Sequence, residues 1–246
     1  MKEWVTGRNP VFETLKARRR HVFRLCLARG VKMEGRLEQI TQLARELHVP
    51  IEEVPRERLD AISFNHQGVA LEVSAYPYVA LEDMLAHSKT LSEPSFFLLL
   101  DLIQDPQNLG TLLRTAEAMG VHGVIIPSAH SALITPAVVN ASSGASEHLL
   151  IAQFNLAQAI DRIKALDVWV VGLDEDTHAK DPSQINLGMG LAIVVGNEGS
   201  GLRDLVRKSC DEIMYLPMFG KVESLNAAVA GSIALYLARS ARSKQA

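Results

Sequence analysis

The chain has 246 residues, 48% of them hydrophobic and 22% charged, which suits one large domain or two smaller ones with sizeable cores and excludes a disordered chain. Its longest apolar runs, 96–100 and 191–195, fall far short of the ~20 residues of a membrane helix, and Met1-Lys-Glu-Trp-Val-Thr lacks the apolar core of a secretion signal, so a cytoplasmic protein with no membrane contact is expected. The net charge of −3 hides an asymmetry: residues 1–75 hold 13 Lys+Arg against 10 Asp+Glu, net +3, leaving 12 against 18, net −6, for 76–246.

Eight basic residues lie in the first thirty (Lys2, Arg8, Lys16, Arg18, Arg19, Arg20, Arg24 and Arg29), against Glu3 and Glu13. Phosphate attraction is local and screened by salt, so this end can hold a nucleic acid although the whole chain is acidic. Arg8 and the run Arg18-Arg19-Arg20 are its candidate contacts. The elements then follow in order. Asn9–Ala17 reads as a helix with Asn9 as cap and Pro10 at its first position. A strand at Val22–Ala28 precedes a helix over Glu34–His48, where Leu37, Ile40, Leu43, Ala44 and Leu47 repeat at helical spacing until Pro50 stops it. Ile51–Val54, a helix opening at Pro55 and a strand at Val69–Val73 complete a small α/β domain, 1–75. Pro77 and Pro94 punctuate a linker, 76–94. Cys26 and Cys210 have no CxxC or metal-type spacing, so neither a disulfide framework nor a metal is expected.

From Phe96 strand and helix alternate: strands Phe96–Asp101, Gly123–Ile126, Val168–Gly172, Leu191–Gly196 and Glu212–Leu216, with helices Leu109–Met119, Pro136–Ser142, Leu156–Leu166, one from Gly201, and Ser224–Ala238. Such alternation predicts a mostly parallel sheet with helices on both faces over 95–246, an α/β fold. Three motifs rich in Gly, Pro and Asn sit where strands give way to helices: Asp101-Leu-Ile-Gln-Asp105-Pro-Gln-Asn108-Leu-Gly110-Thr-Leu-Leu-Arg114, Gly196-Asn-Glu198-Gly199-Ser-Gly201, and Leu216-Pro-Met-Phe-Gly220-Lys-Val-Glu-Ser224-Leu-Asn226. This construction presents backbone amides and polar side chains to a ligand. On the first helix Leu109, Leu112, Leu113 and Ala116 form the buried stripe, and Arg114, about 140° from Leu109 at ~100° per residue, points away from it.

These three strings resemble the SpoU (TrmH-like) family of the SPOUT superfamily, and the likeness runs from about Phe96 to Arg239. Ala227-Ala228 departs from the Val-Ser common in relatives, with an expected effect on helix packing. The resemblance implies an S-adenosylmethionine-dependent methylation of a ribose 2′-hydroxyl in RNA, a deep trefoil knot that brings Gly196, Leu216 and Leu225 together, and a homodimer packed through the knotted domains. The implied cofactor site comprises Gly196 and Gly220, where a side chain would block close approach, the apolar walls Leu216 and Leu225, and Gly172 and Met218. The implied catalytic set is Arg114, Asn108, Glu198, Ser224 and Asn226. An ordinary guanidinium is a poor base at neutral pH, so Arg114 either activates the hydroxyl or holds it, or an adjacent phosphate, through its fork of donors. Asn108 and Ser224 also suit helix caps, and Asp105 a structural turn. Thr6-Gly7-Arg8-Asn9-Pro10-Val11 and His66-Gln67-Gly68-Val69 resemble the family's N-terminal substrate-binding domain, which adds His66 to the RNA contacts.

Two other readings are weighed. Gly196-Asn-Glu-Gly-Ser-Gly has GxxGxG spacing late in the chain, not the early GxGxxG of a dinucleotide fold. A non-catalytic RNA-binding assembly factor would be expected to lack one of Asn108, Arg114, Glu198 or Asn226, and all are present. A small N-terminal domain ahead of the catalytic one, with only a short basic tail after it, is most similar to members that modify a guanosine of 23S rRNA; a tRNA substrate is the alternative.

Overall fold

Strands β1 (Lys2–Thr6), β2 (Val22–Ala28), β3 (Ile51–Val54) and β4 (Val69–Ser74) form one sheet in the order β1-β4-β2-β3, antiparallel except for the β2/β3 pair. Side chains alternate across a strand, so Leu25 and Leu27 share a face with Leu71 and Val69, their partners in register. All four are buried, as are Val11, Leu15, Leu37 and Ile40 of helices α1 (Arg8–Ala17) and α2 (Arg36–Glu46). On the opposite face Cys26, Ala28 and Ala70 cluster with Val54 and with Leu59 of α3 (Arg56–Asp60). The cap of α1 is Gly7, with φ 87°, and not Asn9. Pro10 therefore stands third in the helix, where an amide would have no intrahelical acceptor, and its missing N–H costs nothing.

The computed structural model describes residues 2–129, 131–175, 179–197, 199, 201–222 and 224–243, and the chain divides into two units, 1–77 with 133–148, and 78–132 with 149–246. The sequence pattern places 133–148 in the 95–246 domain, but the structure joins it to the first unit. A buried ion pair, a side-chain contact and close packing tie it there. Glu147 takes two hydrogen bonds from the buried Arg20, at 2.8 and 2.9 Å, and His148 lies 2.8 Å from Glu13. Gly144, with φ 89°, lies so close to α1 that a Cβ would fall 2.7 Å from that of Glu13.

The second unit begins inside the stretch expected to be a linker. Helix α4 (Leu81–Lys89) buries Leu81, Met84 and Leu85, spaced as one helical face, in its core. Six parallel strands follow: β5 (Phe96–Leu100), β6 (Gly123–Ile126), β7 (Ile151–Gln153), β8 (Trp169–Leu173), β9 (Leu191–Val195) and β10 (Glu212–Met214), in the order β10-β8-β9-β5-β6-β7. β5 and β9 are buried along their whole length, as uninterrupted apolar runs in a sheet covered on both faces should be. One face carries Phe97, Leu99, Ala192 and Val194 against α4, α7 (Leu156–Lys164) and α8 (Asp204–Ser209). The other faces α5 (Pro106–Ala118) and α9 (Ala227–Ser243); the remaining helix, α6 (Pro136–Ala141), lies in the segment assigned to the first unit. The expected α/β class with helices on both faces is what the chain forms. No helix among the described residues is long and apolar enough to cross a membrane.

Gly231 sets how closely α9 approaches: a Cβ there would lie 2.6 Å from Leu112 of α5 and 3.0 Å from Val195 of β9. Gly231→Val is expected to destabilise the chain by about 1–3 kcal/mol through overpacking. The check is the urea midpoint followed by circular dichroism, and an unchanged midpoint refutes the close approach.

Candidate active site

Parallel strands leave their carboxyl ends as the place where ligands bind. A cavity of about 380 Å³ opens there, at the ends of β8, β9 and β10. Leu173 of β8 lines it with Asp174 and Glu175 just beyond, Val195 of β9 with Gly196 and Asn197, and Met214 of β10 with Tyr215 and Leu216. Met218, Ser224 and Leu225 close it, with Ala227 and Ala230 of α9. Gly196, Leu216 and Leu225, far apart in sequence, thus line one wall system, as the resemblance implied.

The loops are held by carboxylates and amides. Asp101, fully buried at the end of β5, accepts the backbone N–H of Arg203 at 2.9 Å and two guanidinium nitrogens of the same residue at 2.7 Å. Its own amide donates to Val195 O at 2.7 Å. Asn197 donates through Nδ2 to Leu102 O at 3.0 Å and accepts the Gly199 amide at 2.9 Å. Asp174 accepts the Leu202 amide at 3.0 Å and pairs with Arg207 at 2.6 Å. Gly201, at φ 63°, permits this: a Cβ would fall 2.9 Å from each Asp174 oxygen. A Cβ on Gly196 would lie 2.4 Å from the Gly201 carbonyl group. Gly196 lines the cavity as expected, but its lack of a side chain is required by the loop folding back on itself.

The two asparagines meet. Asp105, and not Asn108, caps α5, its carboxylate accepting the Asn108 amide at 3.0 Å. Asn226, and not Ser224, caps α9: its Oδ1 accepts the amides of Ala228 at 2.9 Å and Val229 at 3.2 Å. Asn226 Nδ2 donates to Asn108 Oδ1 at 3.1 Å, joining the first and third motifs. Ser224 lines the cavity instead. Arg114 is exposed on α5, away from the buried stripe as its spacing predicts, and is not among the cavity-lining residues. Its neighbour Thr115 places its hydroxyl 2.9 Å from that of Ser232 on α9.

Several expected positions do other work. Gly172 faces away from the cavity, where a Cβ would press on Leu202, Cys210 and Ile213; it is a packing glycine. Gly220 does not line the cavity and has open space around it. Glu198 lies outside the described residues. Burial pushes the Cys210 thiol up to about 12, so it stays protonated at neutral pH and behaves as the small apolar residue its isolation suggested. Of the expected RNA contacts, Arg20 is buried in its Glu147 and Glu3 pairs, and Arg19 donates to Pro77 O at 3.1 Å and to the Tyr76 hydroxyl at 3.2 Å. Arg18 is exposed. His66 is 1% exposed, accepts the Gly68 amide on Nδ1 at 2.9 Å and meets Asp60 at 3.0 Å, so it fixes a turn and cannot reach RNA. Asp174 and Asn197 escaped the sequence reading; Asp174 directly follows an apolar strand, the one signal that marked it. Among the described residues no group of three His, Cys, Asp or Glu is placed to hold a metal ion.

Residues 95–236 match the SpoU rRNA Methylase family, and residues 4–79 match the RNA 2′-O ribose methyltransferase substrate binding family. The TrmH family protein YacO of Bacillus subtilis is 40% identical over 236 residues, covering 95% of this chain and 94% of that one. An uncharacterized tRNA/rRNA methyltransferase of Mycolicibacterium vanbaalenii is 41% identical over 245 residues, covering 98% of this chain and 77% of its own. The crystal structure of the SpoU methyltransferase AviRb from Streptomyces viridochromogenes, in complex with AdoMet, superposes with a TM-score of 0.81 at 24% identity, covering 99% of this chain and 91% of that one, a likeness of fold.

The double duty of Asn226 can be separated. Asn226→Ala removes cap and cross-motif bond and is expected to cost about 1 kcal/mol or more. Asn226→Asp keeps the capping oxygen and should restore most of that loss in urea unfolding while leaving Asn108 without its donor. Equal loss in both variants contradicts the capping role.

Proposed function

The chain belongs to the SpoU rRNA methylase family, and from that premise we propose that it binds S-adenosylmethionine in the cavity beyond β8, β9 and β10 and methylates a ribose 2′-hydroxyl of RNA. The observation that carries the reading is that cavity, in which residues of the second and third motifs converge. Its residues suit the group. The volume of about 380 Å³ falls in the range of small-ligand sites. Leu216, Leu225 and Met214 offer apolar walls to a purine ring, Ser224 offers a hydroxyl, and the exposed carboxylate of Glu175 suits a cationic ligand. When bound, the cofactor supplies an electrophilic methyl on a sulfonium.

The remaining work falls to side chains of this chain. Arg114 holds the ribose hydroxyl or a neighbouring phosphate through its planar donors, which costs no change of charge at neutral pH. The Asn108–Asn226 pair keeps the starts of α5 and α9 in register, so that the helix carrying Arg114 is fixed relative to the cavity wall at Leu225 and Ala227. Threading of α9 to make a deep trefoil is part of the same proposal; its support is the convergence of 196, 216 and 225 on one cavity. So is a homodimer: Val229, Ile233 and Tyr236 form an exposed apolar stripe on α9, on the helix that packs beside α5, and a second copy covering it would lie close to Arg114. We favour rRNA, with a 23S guanosine as the target, because the substrate-binding match at 4–79 adds a small N-terminal domain to the methylase match at 95–236.

The test is transfer of labelled methyl from S-adenosylmethionine to rRNA. Arg114→Ala should lower the rate by about 10²-fold, the scale of a lost positioning contact, with donor affinity by calorimetry unchanged. A wild-type protein with no affinity for the donor overturns the reading and leaves a non-catalytic RNA-binding factor. Sites of 2′-O-methyl lost in cells lacking the protein identify the RNA, and a monomer in light scattering at micromolar concentration counts against the dimer.

A further inference from the structure

Three arginines distant in sequence, Arg8 at the start of α1, Arg29 after β2 and Arg56 at the start of α3, line one open cleft of about 570 Å³ in the first unit, together with Gly30, Gln67 and Gly68. No acidic residue lines it, and among the described residues neither Arg29 nor Arg56 has an ion-pair partner. Two other arginines of the same unit are neutralised, Arg20 by Glu147 and Glu3 and Arg24 by Glu72 and Glu52. Guanidinium groups lining one cleft repel one another unless an anion lies among them, which suits the cleft to a polyanion. It is also shaped. Arg8 donates its amide to Gln67 Oε1 at 3.0 Å and Nε to Gln67 O at 3.4 Å, and the turn carrying Gln67 is fixed from beneath by buried His66. Gly30 takes φ 73° with nothing within 4 Å of where a Cβ would be, leaving backbone open to a ligand.

The loop leading into that turn carries Phe64, which is 100% exposed. A lone apolar side chain on a surface needs no explanation, but a whole aromatic ring beside unpaired arginines has the makings of a single-strand platform, in which bases stack while cations follow the backbone. Phe64 stands three positions before Gln67, so its Cα lies within about 11 Å of that of a residue lining the cleft, about one or two nucleotides of extended RNA. We propose that the cleft of Arg8, Arg29 and Arg56 holds backbone phosphates of an unpaired stretch of the RNA substrate, with a base of that stretch stacked on Phe64. This rests on the reading of the chain as an RNA methyltransferase. It also relocates the contact surface from the Arg18–Arg20 run, of which Arg19 and Arg20 are engaged within the fold.

The experiment titrates the full chain into a fluorescein-labelled single-stranded RNA of about 12 nucleotides, by anisotropy at several salt concentrations. The double variant Arg29→Ala/Arg56→Ala should bind about tenfold or more weakly, and the slope of log affinity against log salt should shrink by about 1.4, two phosphates at ~0.7 each. Arg29→Lys/Arg56→Lys should keep the slope. Phe64→Ala should bind at least about fivefold more weakly with the slope unchanged, and Phe64→Trp should recover the affinity. Lys16→Ala, an exposed charge on α1 outside the cleft, should match wild type. Wild-type protein that binds no such RNA yet transfers methyl to rRNA overturns the cleft alone, whereas failure of both sinks the methyltransferase reading itself. Wild-type binding with folded cleft variants that bind equally well overturns the cleft alone, and equal losses on duplex RNA overturn its preference for unpaired strands. Crosslinking of 4-thiouridine RNA to the unsubstituted protein needs no variant: adducts within 61–68 support the proposal, and adducts confined to the surroundings of Arg18 reject it.

Discussion

A carboxylate buried at the end of β5 governs the catalytic half of this chain. Asp101 has no access to water, and a charge so placed is tolerated only when its lone pairs are met. It meets them with one residue, the amide and guanidinium of Arg203, 102 positions later. That single attachment fixes the exit of the β9 loop over the edge of β5. Asp174 repeats the device from β8, with the Leu202 amide and Arg207. The two carboxylates therefore grip consecutive residues, 203 and 202, from neighbouring parts of the sheet. Residues 202 and 203 are thereby held from two strands of the sheet, and a wall set in advance is the condition for orienting a ligand.

Strands are more legible in this sequence than the places where helices begin. Val22–Ala28, Ile51–Val54 and Gly123–Ile126 form as read and the other expected strands shift by a residue or two, because a continuous or alternating apolar run has few ways of being buried, whereas β1 and the three-residue β7 escape the sequence reading altogether. Caps are less legible where several competent residues stand together. Asn9 yields to Gly7, Asn108 to Asp105, and Ser224 to Asn226. Each candidate could accept a first-turn amide; what chooses between them is the tertiary path of the chain entering the helix. Helix α4 shows the opposite failure: its apolar spacing at 81, 84 and 85 is present, but flanking prolines suggest a linker.

Charge is the least legible property. An arginine run reads the same whether it faces water or a buried glutamate, and the partner of Arg20 lies 127 residues away. Contact at that range is a product of folding, so Arg18-Arg19-Arg20 looks like a phosphate surface when two of its members are internal braces. The glycines carry a related lesson. Gly172 and Gly196 both read as openings for a cofactor, yet one makes room for Leu202 and Cys210 and the other for the backbone of Gly201. A glycine announces close approach without saying what approaches.

Once those braces are set aside, the charge asymmetry between the two ends acquires a different meaning. The cavity of the second unit is lined by Glu175 and by Asp174, the latter paired with Arg207, and by no Lys or Arg, whereas the cleft of the first is lined by three arginines and no carboxylate. On the proposed reading the first arrangement suits a cationic donor and the second a polyanionic acceptor. A single surface of either sign would attract one reactant and repel the other. Dividing the charges between units lets a chain that is net acidic hold both, since at physiological salt a field extends only about 8 Å. Arg114 is then the cation that the catalytic unit must still present, and its place is consistent with that need: it is exposed on α5 and is not among the residues that line the cavity.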